Sequence, residues 1–382
     1  MVRIVSAHTE ELDEADQAVA EILEQIKKLN LDQNSAGLIS CHGEFIENGS
    51  VKKICEALSF PVIGLTTMSS ADNSGYGMYQ LSLAILTSND CTFSASNAVS
   101  VSAQNYKASI SAAYKEARGK LKADPSFIIA ILPLTHDINI TDILNHLDAE
   151  CGGRPIWGSV SVDDSIKFEN CQTICCGTNG KLDLAMLLVE GPVKPEFIVT
   201  ALPDRNIHPR KGFITESEGC LIKKINNMPL IEYFADLGIE LHLGVDATAV
   251  PLIVDYGPGG KAALGLQLLE DGTAFCVGEM PVGTAFSIGS IDPPGILETA
   301  EATITKALAS GNQGGILMFP CVTRYLMLAP SSEDELKKIT AFINGKIPYW
   351  LAYSGGEICP VRGADGKYRN QIHNYTFSAL AL

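Results

Sequence analysis

The sequence predicts a mixed α/β (α+β) fold in which helix-strand-helix-strand-strand units recur and form mixed sheets, divided between two domains. Amphipathic stretches of helical period alternate with apolar runs of strand length. The same order of elements returns 94 positions along the chain. With 34 glycines in 382 residues, tight turns between short elements are plentiful.

In the first unit, Glu11 to Leu29 sets Leu12, Ala15, Val19, Ile22, Leu23 and Ile26 on one helical face. Ala36 to Ile39 reads as a strand, then Val51, Ile54, Cys55 and Leu58 mark a short helix, and Pro61 to Gly64 and Leu81 to Leu86 are strands. The second unit has a helix from Tyr106 to Leu121 and a strand from Ile129 to Leu132. A helix face of Ile140, Ile143, Leu144 and Leu147 follows, then strands Pro155 to Gly158 and Leu182 to Val189, the last entered through an Asn179-Gly180 turn. At this single offset His42 aligns with His136, Pro61 with Pro155 and Gly64 with Gly158.

A looser third unit runs from a helix over Glu298 to Leu308 through a strand over Ile316 to Phe319 and a helix over Glu333 to Ile343, with Ser332-x-x-Glu335 as its capping box. Strands Pro348 to Tyr353 and Tyr375 to Leu380 complete it. Strand-helix-strand units need parallel pairs with right-handed crossovers, and hairpins add antiparallel ones. The polar stretch Pro203 to Ser217 divides residues 1–205 from 206–382, and five short strands between Cys220 and Ile288 open the second domain with an antiparallel portion.

Composition narrows the function. A formal charge of −16 repels phosphate backbones and anionic lipids, which excludes nucleic acid and membrane surfaces as partners. Met1 to Leu12 lacks a signal-peptide core and no apolar run is long enough to span a bilayer, so a cytoplasmic location is expected. Eleven cysteines, several among apolar neighbours, fit free buried thiols in a reducing compartment. The densest group, Cys171, Cys175 and Cys176, has no C-x-x-C spacing and reads as core and hairpin rather than metal site. Asp163 and Asp164, beside Asp137, suit hydrogen bonds to loop amides better than a cation. Gly257 to Gly260 and Gly311 to Gly315 lack the pattern of a nucleotide cradle.

Ligands of such sheets collect where loops leave the carboxyl ends of the strands. Those loops carry His42 and Thr66 in the first unit, His136, Ser161 and Asp164 in the second, and Arg324, Gly356 and Glu357 in the third. Arg324 suits a carboxylate clamp; the competing reading is an internal pair with Glu357 or Asp164. Cys321 reads either as a nucleophilic thiolate, the basis of a thiol-dependent enzyme, or as a small residue packed at a bend. His42, His136, His373 and Cys359 are the available axial donors for haem.

The motifs Pro61-Val62-Ile63-Gly64-x-Thr66, Pro155-Ile156-Trp157-Gly158 with Asp163-Asp164, Cys321-x-x-Arg324, Gly355-Gly356-Glu357-Ile358 and His373-Asn374-Tyr375-Thr376 resemble the successive signatures of FIST proteins. The resemblance spans nearly the whole chain and implies an N-terminal and a C-terminal FIST domain. It further implies a sensory protein that binds a small ligand, either amino acid-like or haem for nitric oxide sensing, and regulates a separate partner such as a histidine kinase. Catalysis is not expected on this reading. Val322 and Thr323 stand where family members often show a glycine.

Overall fold

Apolar runs become fully buried strands, and their pairing follows one plan three times over. The computed structural model describes residues 1–135, 137–165, 167–241, 250–255, 261–363 and 365–382; His136 and the Gly257 to Gly260 turn lie outside the described residues. The first six-stranded sheet runs Arg3–Thr9, Leu81–Ser88, Asn34–Cys41, Val62–Thr66 and then the hairpin Thr173–Cys175 with Thr178–Gly180. In the second the order is Thr92–Ala98, Leu184–Glu190, Phe127–Leu132, Ile156–Val160 and the hairpin Glu357–Arg362 with Tyr368–His373. Glu196–Thr200, Phe377–Ala381, Ile316–Pro320, Tyr349–Ala352 and the hairpin Ser70–Asp72 with Gly75–Gly77 form the third. In every case the two crossover-linked strands are parallel and the other pairs antiparallel, as the mixed-sheet expectation required.

The hairpins are exchanged in a ring. The first sheet takes the second unit's hairpin, the second takes the third's, and the third takes the first's. The second and third sheets therefore each contain strands from both sides of residue 205.

The inner faces of the three sheets share one apolar centre, where Trp157 stacks on Phe319 at 4.6 Å and Trp350 meets the same ring edge-on at 5.6 Å. Helices cover the outer faces: Ala15–Lys27 and Ser50–Ala57 on the first sheet, Tyr106–Gly119 and Ile140–Glu150 on the second, Pro293–Ala309 and Asp334–Ile343 on the third. Gly64 and Gly158 mark close approaches inside the sheets, since a Cβ there would overlap the carbonyl oxygen of Ile39 or Ala130. An eight-stranded antiparallel sheet with the helix Leu230–Asp236 is inserted between the third unit's first strand and its first helix, and has its own core.

Three sequence expectations change. Leu38 pairs with Ile63 and Ile129 with Trp157, so the second crossover is three residues longer and the single offset of 94 does not hold for the first strand of each pair. The helix expected from Glu298 begins at Pro293, because Asp292 accepts the Gly295 N–H at 2.7 Å and proline suits the first helical turn. The box Ser332-x-x-Glu335 makes no side-chain cap. Glu335 turns inward instead, where a buried guanidinium needs a counter-charge more than an exposed helix end needs a cap. No helix among the described residues is long and apolar enough to cross a membrane.

Candidate functional site

At the carboxyl ends of Phe127–Leu132 and Ile156–Val160 the chain leaves the second sheet and meets the inserted one. A cavity of about 650 Å³ lies between them. One wall is the entry to the helix Ile140–Glu150, held by the Asn139 side chain, which accepts the Thr141 N–H at 2.9 Å. The opposite wall is the inserted sheet around Leu266, Phe275 and Val277, and the floor is Gly355 and Gly356 with Asn374 and Tyr375. Val160, Phe168 and Ile372 make the interior largely apolar. Asp137 and Lys167, both exposed, put one charge of each sign at the rim.

Polar capacity inside the cavity is sparse. The Thr135 hydroxyl is spent on the Ile138 carbonyl at 2.7 Å. Asn374 is only 7% exposed, and its side-chain oxygen has no hydrogen-bond partner among the described residues. Its backbone is fixed by an N–H to the Ala263 carbonyl at 2.9 Å, and the next residue, Tyr375, holds a left-handed φ of 58°. A buried acceptor without a donor costs free energy unless a ligand or water supplies one. This makes Asn374 the candidate polar anchor of the cavity.

Arg324 lies elsewhere in the third unit, fully buried. Its Nε and Nη2 donate to Glu335 Oε1 at 3.0 and 2.5 Å, Nη2 also to the Ile296 carbonyl at 2.7 Å and Thr299 Oγ1 at 3.0 Å, and Nη1 to the Tyr375 carbonyl at 3.3 Å. The expected internal partners, Glu357 and Asp164, are thus replaced by Glu335, and the guanidinium is engaged in the core rather than presented to the cavity.

Glu357 is also fully buried. Thr376 donates to its Oε2 through the hydroxyl at 2.6 Å and the backbone at 3.2 Å, while Oε1 makes no hydrogen bond of good geometry among the described residues. Burial pushes the Glu357 carboxyl up to about 8. Gly356 donates its N–H to the Ser354 hydroxyl at 3.1 Å and lines the cavity directly.

Cys321 is 2% exposed, and burial, with the nearby Glu357 carboxyl, pushes its thiol up to about 12. It donates weakly to Thr323 Oγ1 at 3.6 Å, so the residue behaves as a packed thiol at a bend and not as a ready nucleophile.

His42 packs edge-on against Tyr79 at 5.0 Å and lies 3.0 Å from Asp164 Oδ2, off the line of a hydrogen bond. Thr66 is closed on Gln172, whose N–H donates to its hydroxyl at 2.8 Å, and Ser161 donates its N–H to Leu132 at 3.0 Å. Asp163 accepts the Ser165 N–H at 2.9 Å and the Asn170 N–H at 2.5 Å, a loop-amide role.

The donor set does not fit haem among the described residues. His373 is enclosed in the core, its Nε2 3.2 Å from the Cys359 carbonyl, and burial pulls its pKa down to about 4. Cys359 is buried as well, with its thiol pushed up to about 12. Neither these two nor His42 lines the cavity. Among the described residues no cluster of three or more His, Cys, Asp or Glu side chains suits a metal ion.

Of the ligand-binding candidates named from the loops, Gly356 lines this cavity, as do the loop neighbours Thr135 and Asp137, while His136 lies outside the described residues. Sequence reasoning missed Asn374 as an anchor, although it sits in a quoted motif, and missed Phe168, Leu266 and Val277. No local pattern reveals that the inserted sheet faces the second unit.

No curated protein matches the sequence. The crystal structure of cyanuric acid hydrolase from A. caulinodans aligns with 100% of this chain and 99% of its own at 9% identity and a TM-score of 0.37, a likeness that carries neither fold nor activity across. The sequence matches the FIST N domain over residues 35–228 and the FIST C domain over residues 233–360. The chain therefore belongs to the FIST family, whose domains are associated with signal transduction and small-ligand sensing.

Proposed function

We propose that the protein is a cytoplasmic sensor whose ligand, a small zwitterion with an apolar side chain such as an aliphatic or aromatic amino acid, occupies the cavity between the second sheet and the inserted sheet. The Asn374 oxygen, without a partner among the described residues and set in a largely apolar chamber, carries this reading. An apolar interior takes the side chain, Asn374 takes an N–H, and Asp137 and Lys167 face the two charges of the backbone groups. The acidic surface and free thiols support the cytoplasmic location. Because three elements of different origin line the cavity, a ligand that bridges them favours one relative placement of the inserted sheet. A separate protein such as a histidine kinase would read that placement.

Titration calorimetry with leucine, phenylalanine, glutamate and hemin tests the reading. Leucine or phenylalanine should bind at one per chain, Asn374→Leu should weaken binding by about 1–3 kcal/mol, and Val277→Trp should abolish it. Stoichiometric binding of hemin alone would replace this ligand class.

A further inference from the structure

The hairpin that joins the first two units carries a cluster of three thiols on which the sensing cavity makes no demand. Cys175 ends one strand of this hairpin and pairs with Ile63 of the first unit. Cys176 occupies the turn at a φ of 49°, exposed, with its N–H given to the Val62 carbonyl at 2.7 Å. Cys55 comes from the helix Ser50–Ala57 of the first unit, and a Cβ placed on Gly177 would lie 3.4 Å from its Cβ.

We propose that Cys176 is a peroxide-reactive thiol and that Cys55 resolves its oxidised form into a disulfide that staples the first unit to the exchanged hairpin of the second. The cluster supplies what such a site needs: one exposed sulfur, and a second thiol on a helix packed against the same turn. The neighbouring Cys175 thiol and the Val62 backbone hold Cys176 below the usual thiol range, while the Lys120 charge nearby is shared with Glu116 at 2.8 Å. Cys175 itself is a poor resolving partner, since adjacent Cα atoms are about 3.8 Å apart whereas ordinary disulfides span about 4.4–6.8 Å.

In the first step the Cys176 thiolate attacks an oxygen of a hydroperoxide. The S–O bond forms as O–O breaks, the peroxide gains two electrons, and water or an alcohol leaves with a solvent proton. In the second, Cys55 attacks the sulfenic sulfur, S–S forms as S–O breaks, and the hydroxyl leaves as water with the Cys55 proton. Burial pushes the Cys55 thiol up to about 12, which lowers its thiolate fraction and favours interception of the sulfenic acid by an added trap.

The test uses the full chain, reduced and then treated with hydrogen peroxide at neutral pH, with and without a dione trap for sulfenic acids, followed by non-reducing peptide mapping. Cys176 should take the trap at least about tenfold faster than any of the other cysteines. Without the trap, a Cys55–Cys176 disulfide should form. Cys176→Ser should remove both products, and Cys55→Ala should remove the disulfide while raising the trapped yield, with a thermal melt showing that each variant is folded. A faster-reacting cysteine elsewhere, a Cys175–Cys176 disulfide, or no oxidation of Cys176 in the wild-type chain overturns the proposal; the wild-type map decides this even if a variant fails to fold.

Discussion

The Arg324 guanidinium and the Glu335 carboxylate form an ion pair in the core of the third unit, 2.5 Å apart, with both side chains at most 1% exposed. Tyr353 donates to the other Glu335 oxygen at 2.9 Å, and the Phe377 ring lies 5.4 Å from the guanidinium carbon. The motif Cys321-x-x-Arg324 thereby ties the helix Val322–Met327 to the helices Pro293–Ala309 and Asp334–Ile343.

Removing one partner leaves a buried charge uncompensated. Arg324→Ala should cost about 3–5 kcal/mol in urea unfolding, and adding Glu335→Ala should recover part of that loss. Folded Arg324→Ala should weaken ligand binding less than Asn374→Leu does, because the guanidinium reaches the cavity only through the Tyr375 carbonyl.

Glu357 sets a slope on the alkaline side. Its carboxyl titrates at about 8 in the folded chain against an ordinary 4.5, so the unfolded chain loses the proton first. The stability this group contributes is complete below pH 4.5 and falls as pH rises to about 8. In Glu357→Gln this decline should disappear, which urea midpoints between pH 5 and pH 8 would show against the wild type.

His373 acts in the opposite direction. Its pKa falls from 6.5 to about 4 on burial, so the unfolded chain takes up the proton first as pH drops. Its contribution is complete above pH 6.5 and is lost towards pH 4. His373→Gln should flatten the acid limb of the same stability profile and leave the alkaline limb unchanged.

Gly158 has no room for a side chain against the Ala130 carbonyl. Gly158→Ala should cost about 1–3 kcal/mol or more, because the obstacle is backbone within a parallel pair and cannot rotate away. A melting temperature unchanged from the wild type would show that the strands separate without strain.

Periodicity made the elements legible because a buried face imposes the same spacing wherever its strand pairs. It could not show the hairpin exchange, since Thr173–Gly180 has the same alternation whether it pairs within its own unit or, as it does, with Val62–Thr66. The glycines of the two Pro-x-x-Gly motifs were visible, and their close approach explains them. Glu335 misled because a capping acid and a buried counter-ion look alike three residues after a serine. Asn374 stood inside a recognisable motif, yet its role depends on a wall supplied by an insertion far earlier in the chain.

The proposed sensor holds one small ligand in the cavity beside Asn374. Native mass spectrometry of the wild-type chain and of Val277→Trp, each mixed with leucine and phenylalanine, tests it most directly. The wild type should show a saturable adduct of one amino acid per chain and the variant none, with both retaining the same folded charge-state envelope. Equal adducts on the two chains, or no saturable adduct on either, would contradict the assignment of the ligand to this cavity.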